Sequence, residues 1–405
     1  MNVSERFLKY VQYGTQSDIT SSTVPSTKGQ LVLAAQLAEE LKSLGITDAL
    51  TDENGYVYGH IPAAKGCTSP CLALIAHMDT AMDMSGDNIK PRIIHNYDGN
   101  DIVLNEEKNI VTAVSVFPNL KKFIGQDLIV TDGTTLLGAD DKAGVAEIMT
   151  LAEFLMQNPD YPHPPISILF TPDEEIGRGP DHVNLEEVGA AYGYTIDGGL
   201  IGEFSYENFN AASAVVTIHG VTAHTGYCKG ILKNAMLIAM EYQALLPAYE
   251  TPAWTEGREG FYHLDKIQGR TETTIMNYLI RDHDETLFQH RQEIMRTAAD
   301  FINKKYGAGT VEITITETYR NMYQQVKDHE KLISNVMTAM EHCSITPIIT
   351  PIRGGTDGAR LSYQGLPCPN ICTGGQNGHG RHEFVSIQSM EAITEMLKEL
   401  VKLFA

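Results

Sequence analysis

Short apolar runs that stop abruptly at acidic or imidazole groups recur through the first half of this chain. Leu72 to Ala76 is nearly all apolar and gives way to His77-Met78-Asp79. The run I-S-I-L-F-T from Ile166 ends at Pro172 and delivers three adjacent carboxylates, Asp173, Glu174 and Glu175. Ala190 to Ile196 ends at Asp197-Gly198-Gly199, and Leu136-Leu137 leads into G-A-D-D-K-A-G with Asp140 at its centre. Between these runs the apolar period changes from strand-like to helical. Leu33, Leu37, Leu41 and Leu44 recur at helical spacing before the stop signal Gly45, and Val145, Ile148, Met149, Ala152, Leu155 and Met156 trace a second helix face. Buried strands alternating with helices predict an α/β fold with a mostly parallel central sheet covered by helices on both faces. In such sheets, functional groups collect just beyond the carboxyl ends of the strands, where His77, Asp79, Asp140, Glu174, Glu175 and Asp197 all fall.

The rhythm changes near residue 210. Strand-like Ala211–Ile218, a helix over Asn234–Leu246, two strands over Phe261–Ile267 and Thr274–Ile280, a helix over Glu285–Lys305 and a strand over Thr310–Thr316 follow in turn. The order β-α-β-β-α-β predicts a ferredoxin-like domain inserted into the first. The expected division is a discontinuous catalytic domain of residues 1–208 and 318–405, and an inserted lid domain of residues 209–317. Residues 81–125, with short strand-like pieces and turn signals, read as an excursion from the main sheet.

Length supports two domains, since 405 residues exceed what one core usually organises. The formal charge of −21 argues against nucleic acid and anionic membranes as partners, both of which need clustered Lys and Arg. No apolar run approaches the roughly 18 residues that span a bilayer, and the opening M-N-V-S-E-R-F-L-K-Y enters a helical pattern with no signal-peptide character. Six scattered cysteines (Cys67, Cys71, Cys228, Cys343, Cys368, Cys372) without CxxC spacing fit reduced thiols in a cytoplasmic protein.

The acidic doublet changes the picture most. Adjacent carboxylates repel, so a fold keeps them close when positive charge sits among them. His77 and Asp79, two apart on an extended chain, point the same way, and an imidazole ligand usually has a carboxylate that fixes its tautomer. Each piece also has a purely structural reading: an acidic turn for the doublet, a core histidine for His77, a helix cap for Asp140. Near the C-terminus, G-G-Q-N-G-H-G-R-H-E-F adds His379 and His382 on a glycine background. Imidazoles with carboxylates form the nitrogen-and-oxygen set that zinc accepts, whereas calcium or magnesium would bind mainly through oxygen.

Taken in order, H-M-D-T, L-G-A-D-D-K-A-G, T-P-D-E-E-I-G, D-G-G and G-H-G-R-H-E-F resemble the motif series of the co-catalytic dinuclear zinc peptidases, in the branch that cleaves tripeptides. The resemblance covers nearly the whole chain, including F-N-A-A-S, E-G-F-Y-H-L, P-I-R-G-G-T-D-G-A and G-L-P-C-P-N. It implies two Zn2+ per chain, one held by His77 and Asp197 and the other by Glu175 and His379, with Asp140 bridging. It implies that Glu174 is the general base, that Asp79 orients His77, and that a zinc-bridged water activated by Glu174 attacks the peptide bond. His224, in V-T-A-H-T-G-Y-C-K-G, resembles the lid histidine that stabilises the developing oxyanion, although Thr225 stands where the family commonly has proline. Arg281 and Arg353 are candidates for gripping the terminal carboxylate of a peptide, with structural ion pairs as the alternative. The expected activity is release of the N-terminal residue from tripeptides, with short peptides as the partners and a homodimer allowed. An amidohydrolase of acylated amino acids or dipeptides, and a non-catalytic binding protein, are the competing readings.

Overall fold

The computed structural model describes residues 1–405 and divides them into two compact units. The first comprises Met1–Tyr206, Gln324–Thr350 and Thr356–Ala405; the second comprises Glu207–Tyr323 and Pro351–Gly355.

An eight-stranded sheet runs through the first unit. At its centre Leu72–His77 lies parallel to both Ile166–Thr171 and Tyr192–Ile196. The first two strands are buried along their whole length, which is why they read as unbroken apolar runs. The sheet as a whole is mixed rather than mostly parallel. Val57–Ile61 runs antiparallel to Ile166–Thr171, Leu50–Thr51 runs antiparallel to Val57–Ile61, and Glu203–Ser205 runs antiparallel to Asn370–Ile371. The physical reason is connectivity. A helix such as Ala139–Gln157 carries the chain back before the next strand and so makes parallel neighbours, whereas short strands entered through loops can pair in either sense.

The excursion from the main sheet forms its own layer. Arg92–Ile94, Leu128–Val130, Phe384–Ser386 and Gly375–Gln376 make a small antiparallel sheet over a satellite core that includes Phe123, Leu128 and Phe384. Helices Lys28–Ser43, Ala139–Gln157, Glu330–His342 and Ile387–Leu403 contribute their apolar faces to the main core. No helix is long and apolar enough to cross a membrane.

The second unit is a four-stranded antiparallel sheet in the spatial order Phe261–Gly269, Thr273–Asp282, Asn210–His219, Val311–Tyr319. With helices Ala235–Ala244 and Glu285–Tyr306, its chain order is β-α-β-β-α-β. Alternation along Asn210–His219 places Ala212, Ala214, Val216 and Ile218 in the core with Ile238, Tyr242, Phe288 and Met295.

Two buried charge systems in the first unit are not balanced by hydrophobic packing. Arg6, at 2% side-chain exposure, donates to Glu40 at 2.9 Å and to Glu153 at 2.9 Å, joining three helices. Replacing Arg6 with Met should lower unfolding free energy by about 3 kcal/mol in urea titration, because Glu40 stays buried with only Lys9 and Tyr10 as partners. Glu147 is fully buried and neither carboxyl oxygen has a partner, so burial holds its pKa well above the ordinary carboxyl range. A folded pKa raised in this way means that the unfolded chain releases its proton first, so stability falls as pH rises beyond the ordinary carboxyl range. Glu147→Gln should therefore be less destabilised than the parent between pH 5 and pH 7, as read by denaturant midpoints at each pH, roughly as linkage predicts.

Candidate metal centre

Three parallel strands deliver their side chains to one edge because they end on the same side of the sheet. His77 is the last residue of its strand and pairs in register with Thr171, while Asp197 follows Ile196 directly. Asp140 arrives from Gly138-Ala139, where Gly138 at φ 77° makes the turn that only glycine adopts readily. The regular helix begins after Asp141, because Asp140 and Asp141 have non-helical backbone angles. His379 comes from the glycine-rich loop between Gly375–Gln376 and Phe384–Ser386.

The geometry converges on Asp140. Its Oδ1 lies 3.0 Å from Nε2 of His77, and its Oδ2 lies 3.4 Å from Nε2 of His379. His77 Nε2 is also 3.7 Å from Asp197 Oδ1, and His379 Nε2 is 3.1 Å from Glu175 Oε2. The five residues therefore form two half-sites, His77 with Asp197 and His379 with Glu175, and one oxygen of Asp140 faces each. Within the acidic triplet the three carboxylates separate by role. Asp173 is fully buried and accepts from the Ser26 backbone and hydroxyl and from Gln30, so it fixes the loop. Glu175 enters the cluster. The carboxylate of Glu174 has no hydrogen bond or ion pair with the protein.

Asp79 holds this arrangement from beneath. It is fully buried, its Oδ1 accepts from the backbone N–H of Glu174 at 3.0 Å, and its Oδ2 accepts from that of Glu175 at 3.1 Å and from the Ser17 hydroxyl. Its Oδ1 also lies 3.3 Å from His77 Nδ1, close enough for an ion pair but out of hydrogen-bond alignment. That leaves Nε2 of His77 aimed at Asp140 and Asp197. Glu383 performs a similar task on the other side, accepting from the backbone N–H groups of Leu137, Gly138 and Asp140. Asp141 accepts from the backbone N–H of His77 at 3.2 Å and of Gly144 at 3.3 Å, so it buttresses the cluster although it lies within ligand distance of His77 and Asp197.

Burial and mutual repulsion set the protonation of the cluster. Burial pushes Glu175 up to about 8 and Asp197 up to about 7, with the charge of Asp140 adding to both. Burial, and then Asp357, raises Glu174 well above the ordinary range. Burial also works against ionised Asp140, yet hydrogen bonds from His379 and His77 outweigh it and hold that carboxyl far below its ordinary pKa. His77 is depressed by burial but raised on balance by Asp140 and Asp79, and hydrogen bonding to Asp140 raises His379 to about 9. So many acids at one edge retain protons unless positive charge is supplied. The buried Oε1 of Glu175 has no partner, which is what a carboxylate prepared for a cation would show. Two imidazoles and three carboxylates suit zinc in both donor type and number.

Not every residue singled out in the sequence enters the cluster. His382 bonds the Thr112 hydroxyl at 2.9 Å and packs on Phe117, away from the ligands. In the second unit, His224 is exposed, with Nδ1 accepting from the backbone N–H of Gly226 at 3.2 Å and its ring against Tyr227. Arg281 donates to the carbonyls of Ala212 and Ile280 and lies over the Tyr319 ring. Arg353 donates to the carbonyls of Gly257, Glu259 and Thr255 and lies over Phe209 and Phe261. Neither arginine has a carboxylate partner, so the structural ion pairs weighed for them are not formed. Ser17, Asp141, Glu383 and Asp357 were not identified from sequence. Glu383 sits inside the histidine motif and could have been suspected; Ser17, far upstream, carries no signal.

Comparison with known proteins adds the lineage. The profile of "Peptidase family M20/M25/M40" matches residues 131–403. The chain is 52% identical over 402 residues to peptidase T of Caldanaerobacter subterraneus subsp. tengcongensis, spanning 99% of this chain and 98% of that one. Its fold is similar to that of aminopeptidase PepT from Bacillus cereus, with a TM-score of 0.79, 22% identity, and 100% and 98% of the two chains covered. A tripeptidase from Staphylococcus aureus gives a TM-score of 0.78 at 22% identity, with 100% and 98% covered. Identity at the first of these levels, sustained from end to end, makes this chain a hydrolase of peptidase family M20/M25/M40, within its peptidase T group.

Proposed function

We propose that the chain is a dinuclear zinc aminopeptidase that releases the N-terminal residue of tripeptides. One observation carries this reading: the two oxygens of Asp140 face two separate imidazoles, while the adjacent Glu174 carboxylate remains unengaged. A bridging ligand and a free acid are the two parts that metal-assisted peptide hydrolysis requires. The names peptidase T and tripeptidase carried by the relatives, and the motif resemblance, supply the substrate length.

In this reading His77 and Asp197 would hold one Zn2+ and Glu175 and His379 the second, with Asp140 shared between them. When bound, the pair supplies Lewis-acid polarisation of the scissile carbonyl and lowers the pKa of the attacking water. Glu174 takes the proton of that water and returns it to the departing amine. Asp79 orients His77 as the carboxylate beside its Nδ1 and, through the backbone amides of Glu174 and Glu175, sets the two glutamates in their different roles. The second unit acts as the lid: His224 donates to the oxygen that becomes negative, and Arg281 and Arg353 take the peptide's terminal carboxylate. Their lack of acidic partners supports that assignment, since both guanidinium charges are uncompensated.

Side-by-side assay of a tripeptide, a dipeptide and an N-acetyl amino acid, with zinc content measured before and after chelation, tests the reading. Turnover of the tripeptide alone, lost on chelation, is expected; preference for the N-acetyl amino acid would assign an amidohydrolase instead. Glu174→Ala should reduce kcat by about a thousandfold or more while zinc content matches the parent, and parental turnover would remove Glu174 from the mechanism. Glu175→Ala should instead lower zinc stoichiometry, measured by emission spectroscopy after gel filtration; unchanged stoichiometry would contradict the division within the doublet.

A further inference from the structure

A cavity of about 330 Å³ opens beside Asp140, between the turn that follows Asp197 and the loop that carries His379. Its lining includes Lys122, Asp140, Gly198, Glu203, Gln376 and Glu383. Most of the polar groups around it are already engaged. Glu383 accepts from three backbone N–H groups. The side chains of Gln376 and Asn377 are fixed by Asn119, which donates to both amide oxygens at 3.1 Å, and their own amide groups donate to the carbonyls of Gly375 and His382. Glu203 differs. Its Oε2 accepts from the backbone N–H of Leu200 at 3.1 Å, its other oxygen has no protein partner, and it forms no ion pair, not even with Lys122.

The position of that carboxylate is built into the fold. Asp197 ends its strand, the chain turns through Gly198 and Gly199, and Glu203 opens the short strand Glu203–Ser205, which pairs with Asn370–Ile371. A side chain at Gly199 would bring its Cβ within 2.9 Å of Glu203 Oε2, and one at Gly378 would approach Asp140 Oδ2 at 3.3 Å. Glycine at these positions leaves room beside each of the two carboxylates that line the cavity.

We propose that Glu203 binds the free α-ammonium group of the peptide substrate in this cavity. The inference rests on the aminopeptidase reading above and adds the group that selects a free N-terminus. The α-nitrogen lies only roughly 2.5 Å from the scissile carbonyl carbon, by backbone bond lengths, so its anchor must adjoin the ligands that position that carbon. Of the acids lining the cavity, Asp140 is committed to the metal site and Glu383 to the backbone. Glu203 is the one with an unengaged oxygen. An ammonium offers a carboxylate opposite charge and three N–H donors, while an acylated nitrogen is neutral and keeps a single N–H.

The test compares two non-hydrolysable tripeptide analogues, identical except that one carries the α-amine and the other hydrogen in its place. Their dissociation constants are measured calorimetrically on the zinc-loaded protein and on the Glu203→Gln and Glu203→Asp variants. The parent should favour the amine-bearing analogue by about ten- to a hundredfold, as a charge-assisted contact implies. Glu203→Gln should lose most of that preference while binding the amine-free analogue as the parent does, and Glu203→Asp should retain part of it. Tripeptide KM should rise in Glu203→Gln with less change in kcat. A preference that persists undiminished in Glu203→Gln overturns the proposal, and so does equal weakening of both analogues, which marks a structural role. Failure of the aminopeptidase reading is separate: the parent would then not cleave free-amino tripeptides.

Discussion

The carboxylate of Asp140 is the constraint around which the first unit is organised. It lies between two imidazoles, and hydrogen bonds from both keep it ionised although it is surrounded by other acids and largely removed from water. A carboxylate cannot hold such a place without support on every side. Glu383 grips the backbone that presents it, through the amides of Leu137, Gly138 and Asp140. Asp141 ties the backbone of His77 to the start of the following helix, and Lys142, buried with its pKa lowered to about 7, donates to the Tyr13 carbonyl. The local fold resists mutual repulsion with backbone hydrogen bonds.

The same economy explains the acidic triplet. Three neighbouring carboxylates of identical chemistry receive three environments. Asp173 is buried against Ser26 and Gln30, Glu175 faces His379, and Glu174 is left without a partner. Asp79 produces the last two outcomes together by accepting one backbone amide from each glutamate. Like groups are thus differentiated by their surroundings.

The second unit contributes chemistry of a different kind. Arg281 lies on a strand of a small antiparallel sheet with a core of its own, whereas the exposed His224 and Arg353 stand on loops; neither arginine has an acidic partner. Arg353 belongs to this unit through residues 351–355 although it is distant in sequence from residues 207–323. Its guanidinium is held by carbonyls of the Thr255–Glu259 loop and by aromatic rings, an anchoring that leaves its charge available.

Period and spacing in the sequence determined the α/β character, the buried central strands and the β-α-β-β-α-β order of the second unit. These depend on local rules: apolar alternation, helical recurrence and glycine stops act over a few residues. The motif series also named the five residues that cluster: four follow apolar runs, and His379 stands on a glycine background. Sense of pairing was another matter. The sheet is mixed because strands such as Val57–Ile61 and Glu203–Ser205 pair with partners distant in sequence, and no local pattern encodes that choice. The supporting groups were equally hidden. Ser17 meets Asp79 across 62 positions and Glu383 meets Gly138 across 245, so their roles exist only once the chain has closed on itself. Tertiary structure likewise decided that His379 joins the acidic cluster while His382 packs against Phe117, two histidines on one loop separated by which way the backbone turns.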